Sequence, residues 1–247
     1  MSVAVYCGSS SGTKAVYTNA AISVGRALAK AQRRLIYGGG VNGIMGAVSK
    51  AVLLNGGSVT GVLPYAIAAG GGEGGRKKLA EHEGLTPEQR SMNERVMVHS
   101  MHERKVEMAR RSVGFAGLPG GLGTFEEILE VATWTQLGIH RKRQLPPVLQ
   151  VVDKVLTPDA AVVLLNVRGF YDPLRALIKK GVEEGFIMLS NAHIITFVDG
   201  PASYDAHDTY DWGSAMLTAL EFWKGNDVTA LFPGQWNDSS NENLKAT

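Results

Sequence analysis

Cysteine is nearly missing from this sequence. Cys7 is the single one in 247 residues, so no internal disulfide framework can staple the fold. Net charge is nearly missing too. Twenty-five Lys and Arg offset 23 Asp and Glu to leave +2, which excludes a general attraction to nucleic acid or acidic membranes. No apolar run nears the roughly 20 residues that cross a bilayer, and no basic segment leads into an apolar signal core. A metal-ligand set is also lacking. His102 has no accompanying Cys, His and carboxylate pattern, so no metal is expected. These absences lead to an expectation of a soluble, cytoplasmic protein with neither a nucleic-acid nor a membrane partner.

Glycine, by contrast, is abundant, with 30 residues in a chain that is 45% hydrophobic. This suits an α/β protein with many tight turns, and the length allows one large domain or two small ones. Apolar runs at Val3–Tyr6, Arg34–Tyr37, Ser58–Leu63, Arg95–Val98, Val113–Leu118, Ala161–Val167 and Ile194–Val198 read as strands. The stretches Tyr17–Ala31, Val48–Leu54, Met101–Arg111, Thr124–Leu137, Asp172–Glu184 and Trp212–Trp223 read as helices. Strand and helix alternating in this way predict a doubly wound, mainly parallel sheet in one domain over residues 1–200. Insertions are expected near 66–90 and 140–160, a C-terminal helical extension over 201–236, and a disordered tail over 237–247. The basic triplet Arg76-Lys77-Lys78 reads as a solvated loop.

Three small-residue turns follow strands: Cys7-Gly8-Ser9-Ser10-Ser11-Gly12, Gly38-Gly39-Gly40-Val41-Asn42-Gly43, and Pro119-Gly120-Gly121-Leu122-Gly123-Thr124. The last two each precede a helical pattern, so both are candidate phosphate loops, where glycines admit a ligand to the backbone and a helix start favours its charge. Glycines 38, 40 and 43 fit G-x-G-x-x-G, but no acidic residue closes the next strand to hold a ribose, so NAD is discounted. Thr124 with Glu127 also fits a capping box that needs no ligand. In the helix that follows, Phe125, Ile128, Leu129 and Ala132 have the spacing of a buried face. Glu127, Glu130 and Trp134 fall opposite. That face is to be covered by a second subunit, a ligand or a loop of the same chain.

Three blocks together resemble the LONELY GUY family of cytokinin-activating phosphoribohydrolases, formerly described as lysine decarboxylases. They are Gly38-Gly39-Gly40-x-x-Gly43-x-Met45-Gly46, Met101-His102-Glu103-Arg104-Lys105, and Pro119-Gly120-Gly121-x-Gly123-Thr124-x-x-Glu127. The chain looks like a fungal-type member. The resemblance implies a Rossmann-like fold, a homodimer, no cofactor, and hydrolysis of the N-glycosidic bond of N6-substituted AMP to free cytokinin and ribose 5-phosphate. It assigns Arg104 and Glu127 as the catalytic pair. Lys105, Gly120, Gly121, Leu122, Gly123 and Thr124 become substrate contacts, as do Glu126, Glu130 and Thr133. Gly39, Gly40, Gly43 and Met45 complete the set. The alternatives are a general AMP or nucleoside 5′-monophosphate nucleosidase, and a non-catalytic nucleotide or molybdenum-cofactor carrier.

Overall fold

The computed structural model describes residues 1–70, 84–138 and 161–223. Its centre is one sheet of seven strands: β1 Ser2–Tyr6, β2 Arg34–Tyr37, β3 Val59–Pro64, β4 Asn93–Val98, β5 Gly114–Gly117, β6 Ala161–Asn166 and β7 Ile195–Asp199. Their order is β4-β3-β2-β1-β5-β6-β7. Every neighbouring pair is parallel. A parallel sheet must be covered on both faces, and β3 and β6 are buried along their whole length. That explains why Ala161–Leu165 of β6 reads as an apolar run rather than an alternating one, and why the Thr60 hydroxyl within β3 has a partner, donating to Glu94 at 2.9 Å.

Helices α1 (Ala15–Lys30), α2 (Gly43–Leu54) and α8 (Trp212–Phe222) cover one face. Their core gathers Val24, Leu28, Val48, Val52, Trp212 and Met216 around Val3, Val5, Leu35 and Val163. Helices α5 (Met101–Arg110), α6 (Leu122–Leu137) and α7 (Asp172–Glu183) cover the other. There Met108, Ile128, Val131 and Ala132 pack on Ala4, Tyr6, Phe115 and Leu164. Short helices α3 (Tyr65–Gly70) and α4 (Pro87–Ser91) stand at the two ends of the expected 66–90 insertion. The triplet 76–78, the expected 140–160 insertion and the 237–247 tail lie outside the described residues.

The region expected as a C-terminal extension is tied into the main core as far as residue 223. Trp212 is fully buried beside α1. Asp211 caps α8 by accepting from the Ser214 N–H at 3.0 Å, and the Ser23 hydroxyl of α1 donates to the same carboxylate at 3.1 Å. The predicted inner face of α6 needs one correction. Leu129 is 44% exposed, and the buried residues are Thr124, Ile128, Val131, Ala132 and Thr135. Ile128 and Ala132 are buried as expected and Phe125 packs against the same core, so Leu129 alone departs, its place on the inner face taken by Val131 and Thr135. Among the described residues, no helix is long and apolar enough to cross a membrane.

Strand order reverses direction at β1, which pairs with β2 on one side and β5 on the other. The chain therefore leaves the carboxyl ends of β1 and β5 in opposite directions and opens a crevice there, the usual ligand position in such sheets.

Candidate active site

The three small-residue turns meet at that crevice. The Gly8 N–H donates to the Pro119 carbonyl at 3.1 Å, linking the turns after β1 and β5. The Met45 N–H donates to the Gly8 carbonyl at 3.0 Å, linking the turn after β1 to the start of α2. Close approach is enforced at Gly120, where an added Cβ would lie 2.2 Å from the Thr124 hydroxyl and 2.8 Å from the Gly8 nitrogen.

The two candidate phosphate loops differ sharply once folded. The start of α2 is occupied by the protein itself. Ile44 and Met45 donate to the Ser10 and Gly8 carbonyls at 3.4 and 3.0 Å. A Cβ on Gly43 would lie 2.4 Å from Ser9 backbone, and one on Gly46 would lie 2.0 Å from the Val41 carbonyl oxygen. The start of α6 is open. Its N-cap is Gly121, with no side-chain cap and no acidic residue in the first turn. The N–H groups of Leu122, Gly123 and Thr124 have no acceptor within the helix. A Cβ on Gly121 or Gly123 would meet nothing within 4 Å among the described residues. The capping-box alternative is thereby overturned: Thr124 is the third helical residue rather than the cap, and Glu127 stands a turn further in.

Helix α5 brings its cations to the same end. Ser100 caps it by accepting from the Glu103 N–H at 3.0 Å. Arg104 is buried and donates through Nη2 to the Gly38 carbonyl at 3.0 Å. Its Nη1 lies 3.8 Å from the Met101 sulfur. Lys105 bridges two carboxylates of α6, hydrogen-bonding Glu126 and reaching Glu130 at 2.9 Å. Burial lowers the Lys105 pKa, but these two partners outweigh it and hold the ammonium above its ordinary range. The second Glu130 oxygen is buried with no hydrogen bond among the described residues.

Sequence reasoning missed Tyr6, which sits under this cluster at the end of β1. Its ring stacks on Phe115 with centroids 6.1 Å apart. Burial first, and then the charges of Glu127 and Glu130, push its phenol well above the ordinary range, with Arg104 opposing. Arg104, Glu127 and Glu130 thus all act on this one phenol. A tyrosine closing an otherwise aliphatic strand was the signal available. Gly38 was missed as well, read only as one glycine among several.

The structure thus gathers Arg104, Lys105, Glu126, Glu127, Glu130 and Gly120 to Thr124 at one end of the sheet. Leu122 is 85% exposed at the mouth. Gly39, Gly40, Gly43 and Met45 lie beside it, under Arg104 and the β1 turn. Thr133 is not brought in: it faces outward and its hydroxyl donates to the Leu129 carbonyl at 2.8 Å, about 16 Å along the helix from its start. Trp134 is half-buried against the core of its own chain. Among the described residues, no group of three or more His, Cys, Asp or Glu is placed to hold a metal.

An anion-ready helix start beside a buried arginine and several carboxylates, at the switch point of a parallel sheet, defines a Rossmann-like protein with a nucleotide-type site. Residues 45–206 match the family described as "Possible lysine decarboxylase". Over 233 residues the chain is 44% identical to cytokinin riboside 5′-monophosphate phosphoribohydrolase LOG7 of Arabidopsis thaliana, covering 94% of this chain and 92% of that one. It is 44% identical over 199 residues to the probable enzyme LOGL2 of Oryza sativa subsp. japonica, covering 81% and 68%. The chain belongs to this LOG family. The molybdenum cofactor carrier protein of Chlamydomonas reinhardtii shares its fold, with a TM-score of 0.50 at 15% identity over 89% of this chain and 98% of that one.

Proposed function

We infer that this protein hydrolyses the N-glycosidic bond of cytokinin riboside 5′-monophosphates, giving the free base and ribose 5-phosphate. The observation that carries the reading is the open, uncapped start of α6, one turn from Glu127. Backbone N–H groups and the helix dipole there suit a 5′-phosphate. The phosphate anchors the sugar, so its binding energy positions the reacting carbon.

Breaking the ribosyl C–N bond sends the bonding electrons to the base and leaves positive charge on the sugar. Glu127 stabilises that charge and orients the water that adds to the anomeric carbon. A water proton completes the departing base. Arg104, fixed on Gly38, holds the electrostatic balance of a site crowded with Glu126, Glu127 and Glu130. Lys105 keeps Glu126 and Glu130 paired, and the neutral Tyr6 phenol adds no further negative charge. Gly120 to Thr124 form the phosphate contact. Thr133 is assigned to substrate only across a subunit boundary. We propose a cytoplasmic homodimer, in which a second copy covers Leu122 and Leu129 on the outer face of α6.

The test compares isopentenyladenosine 5′-monophosphate, its unphosphorylated riboside and AMP, with released base measured by chromatography. The expected order is the cytokinin nucleotide first, AMP slower, and the riboside at least about tenfold below the nucleotide. Equal rates with and without phosphate would overturn the role of α6. Faster AMP cleavage would make the protein a general nucleosidase, and nucleotide binding without cleavage would make it a carrier.

A further inference from the structure

The glycine-rich turn after β2 looks in sequence like a second phosphate loop, yet folding consumes it. We propose that this turn is the seat of the Arg104 guanidinium, with Gly38 as the positioning residue; this rests on the hydrolase reading given above. An added Cβ at Gly38 would lie 1.8 Å from Arg104 Nη2 and 2.9 Å from its Cζ. Gly38 is not among the positive-φ glycines. Its backbone therefore accepts any L-residue, and the guanidinium is the closest neighbour that excludes a side chain. The Gly38 carbonyl then accepts from the same Nη2 at 3.0 Å.

The turn is itself fixed from below. The Gly40 N–H donates to the Met45 sulfur at 3.1 Å. Gly39 has φ +83 and packs on Leu63, where a Cβ would lie 2.3 Å from a methyl carbon. Met45 in turn is held by its N–H bond to Gly8. Gly39, Gly40, Gly43 and Met45 thus act on substrate through Arg104 and the β1 turn rather than by touching phosphate. A guanidinium is planar and directional, so its placement decides which oxygen or carboxylate it meets.

A double-mutant cycle of Gly38→Ala and Arg104→Ala tests this, read by thermal unfolding and by steady-state kinetics. Gly38→Ala is expected to lower Tm in the native background and to leave Tm unchanged in the Arg104→Ala background. In the native background kcat falls roughly 100-fold, the scale of a misplaced catalytic group, while KM stays within about twofold. In the Arg104→Ala background, Gly38→Ala changes the residual kcat by less than about twofold. If the single variant fails to fold and the double variant folds, the coupling is established directly. Equal losses in both backgrounds overturn the proposal, as does a KM rise with kcat intact, which would return the turn to phosphate binding. Coupling in Tm with no nucleotide turnover by the native protein would instead overturn the hydrolase reading and leave the seat standing.

Discussion

The turns after β2 and β5 are chemically alike and physically opposite. Both are glycine runs between a buried strand and a helix. After β2, the early N–H groups of the helix bond to the β1 turn, and the glycines mark places where backbone, Leu63 or Arg104 comes too close for a side chain. After β5, Gly121 and Gly123 face open space and the helix start has no side-chain cap. A glycine may be small to let the protein in or to let a ligand in. Only the neighbours tell which.

The largest expected effect removes the charge that the open turn serves. Glu127→Gln should cut kcat by roughly 1000-fold, at the scale of general acid–base and electrostatic roles, with the circular dichroism spectrum and Tm unchanged. A variant retaining a tenth of native kcat would remove the chemistry from α6.

Next come paired glycine substitutions that set one turn against the other. Gly46→Ala places a methyl 2.0 Å from the Val41 carbonyl and should destabilise by about 1–3 kcal/mol in chemical unfolding. Gly123→Ala meets nothing within 4 Å among the described residues and removes a helix glycine, so it should leave stability equal or raised by up to about 1 kcal/mol. On the proposed reading its methyl meets the 5′-phosphate, so KM for the nucleotide should rise about tenfold. If Gly123→Ala unfolds the protein, or Gly46→Ala leaves it intact and only weakens binding, the contrast between the two turns is reversed.

The smallest effect lies away from both turns. Asp211→Ala removes the α8 cap and should cost about 1 kcal/mol without changing kcat or KM. Hydrogen bonds from Ser214 hold the Asp211 carboxyl below its ordinary range. Because the folded value is the lower one, this contribution is complete above about pH 4 and is lost as pH falls through the folded value. Acid titration of Tm in native and variant proteins should converge below that point.

Much of the fold was legible because burial on both faces writes apolar runs, and Ala161–Leu165 has few other uses. The exposure of Leu129 was not, since its spacing from Phe125, Ile128 and Ala132 satisfies the helical period as well as that of Val131 or Thr135. Tyr6 escaped notice because a strand residue reveals its company only when helices from residues 101 and 122 settle over it.

Local order alone determined the alternation of strands and helices, the likeness to the LOG family, and the presence of an arginine and a glutamate suited to glycosidic chemistry. Tertiary structure decided which glycine turn stays open, where the guanidinium rests, and which carboxylates share its surroundings. The reason is that periodicity and turn chemistry act within a few residues. Whether a backbone N–H finds a carbonyl from a turn 37 residues away, as Met45 finds Gly8, is a matter of packing.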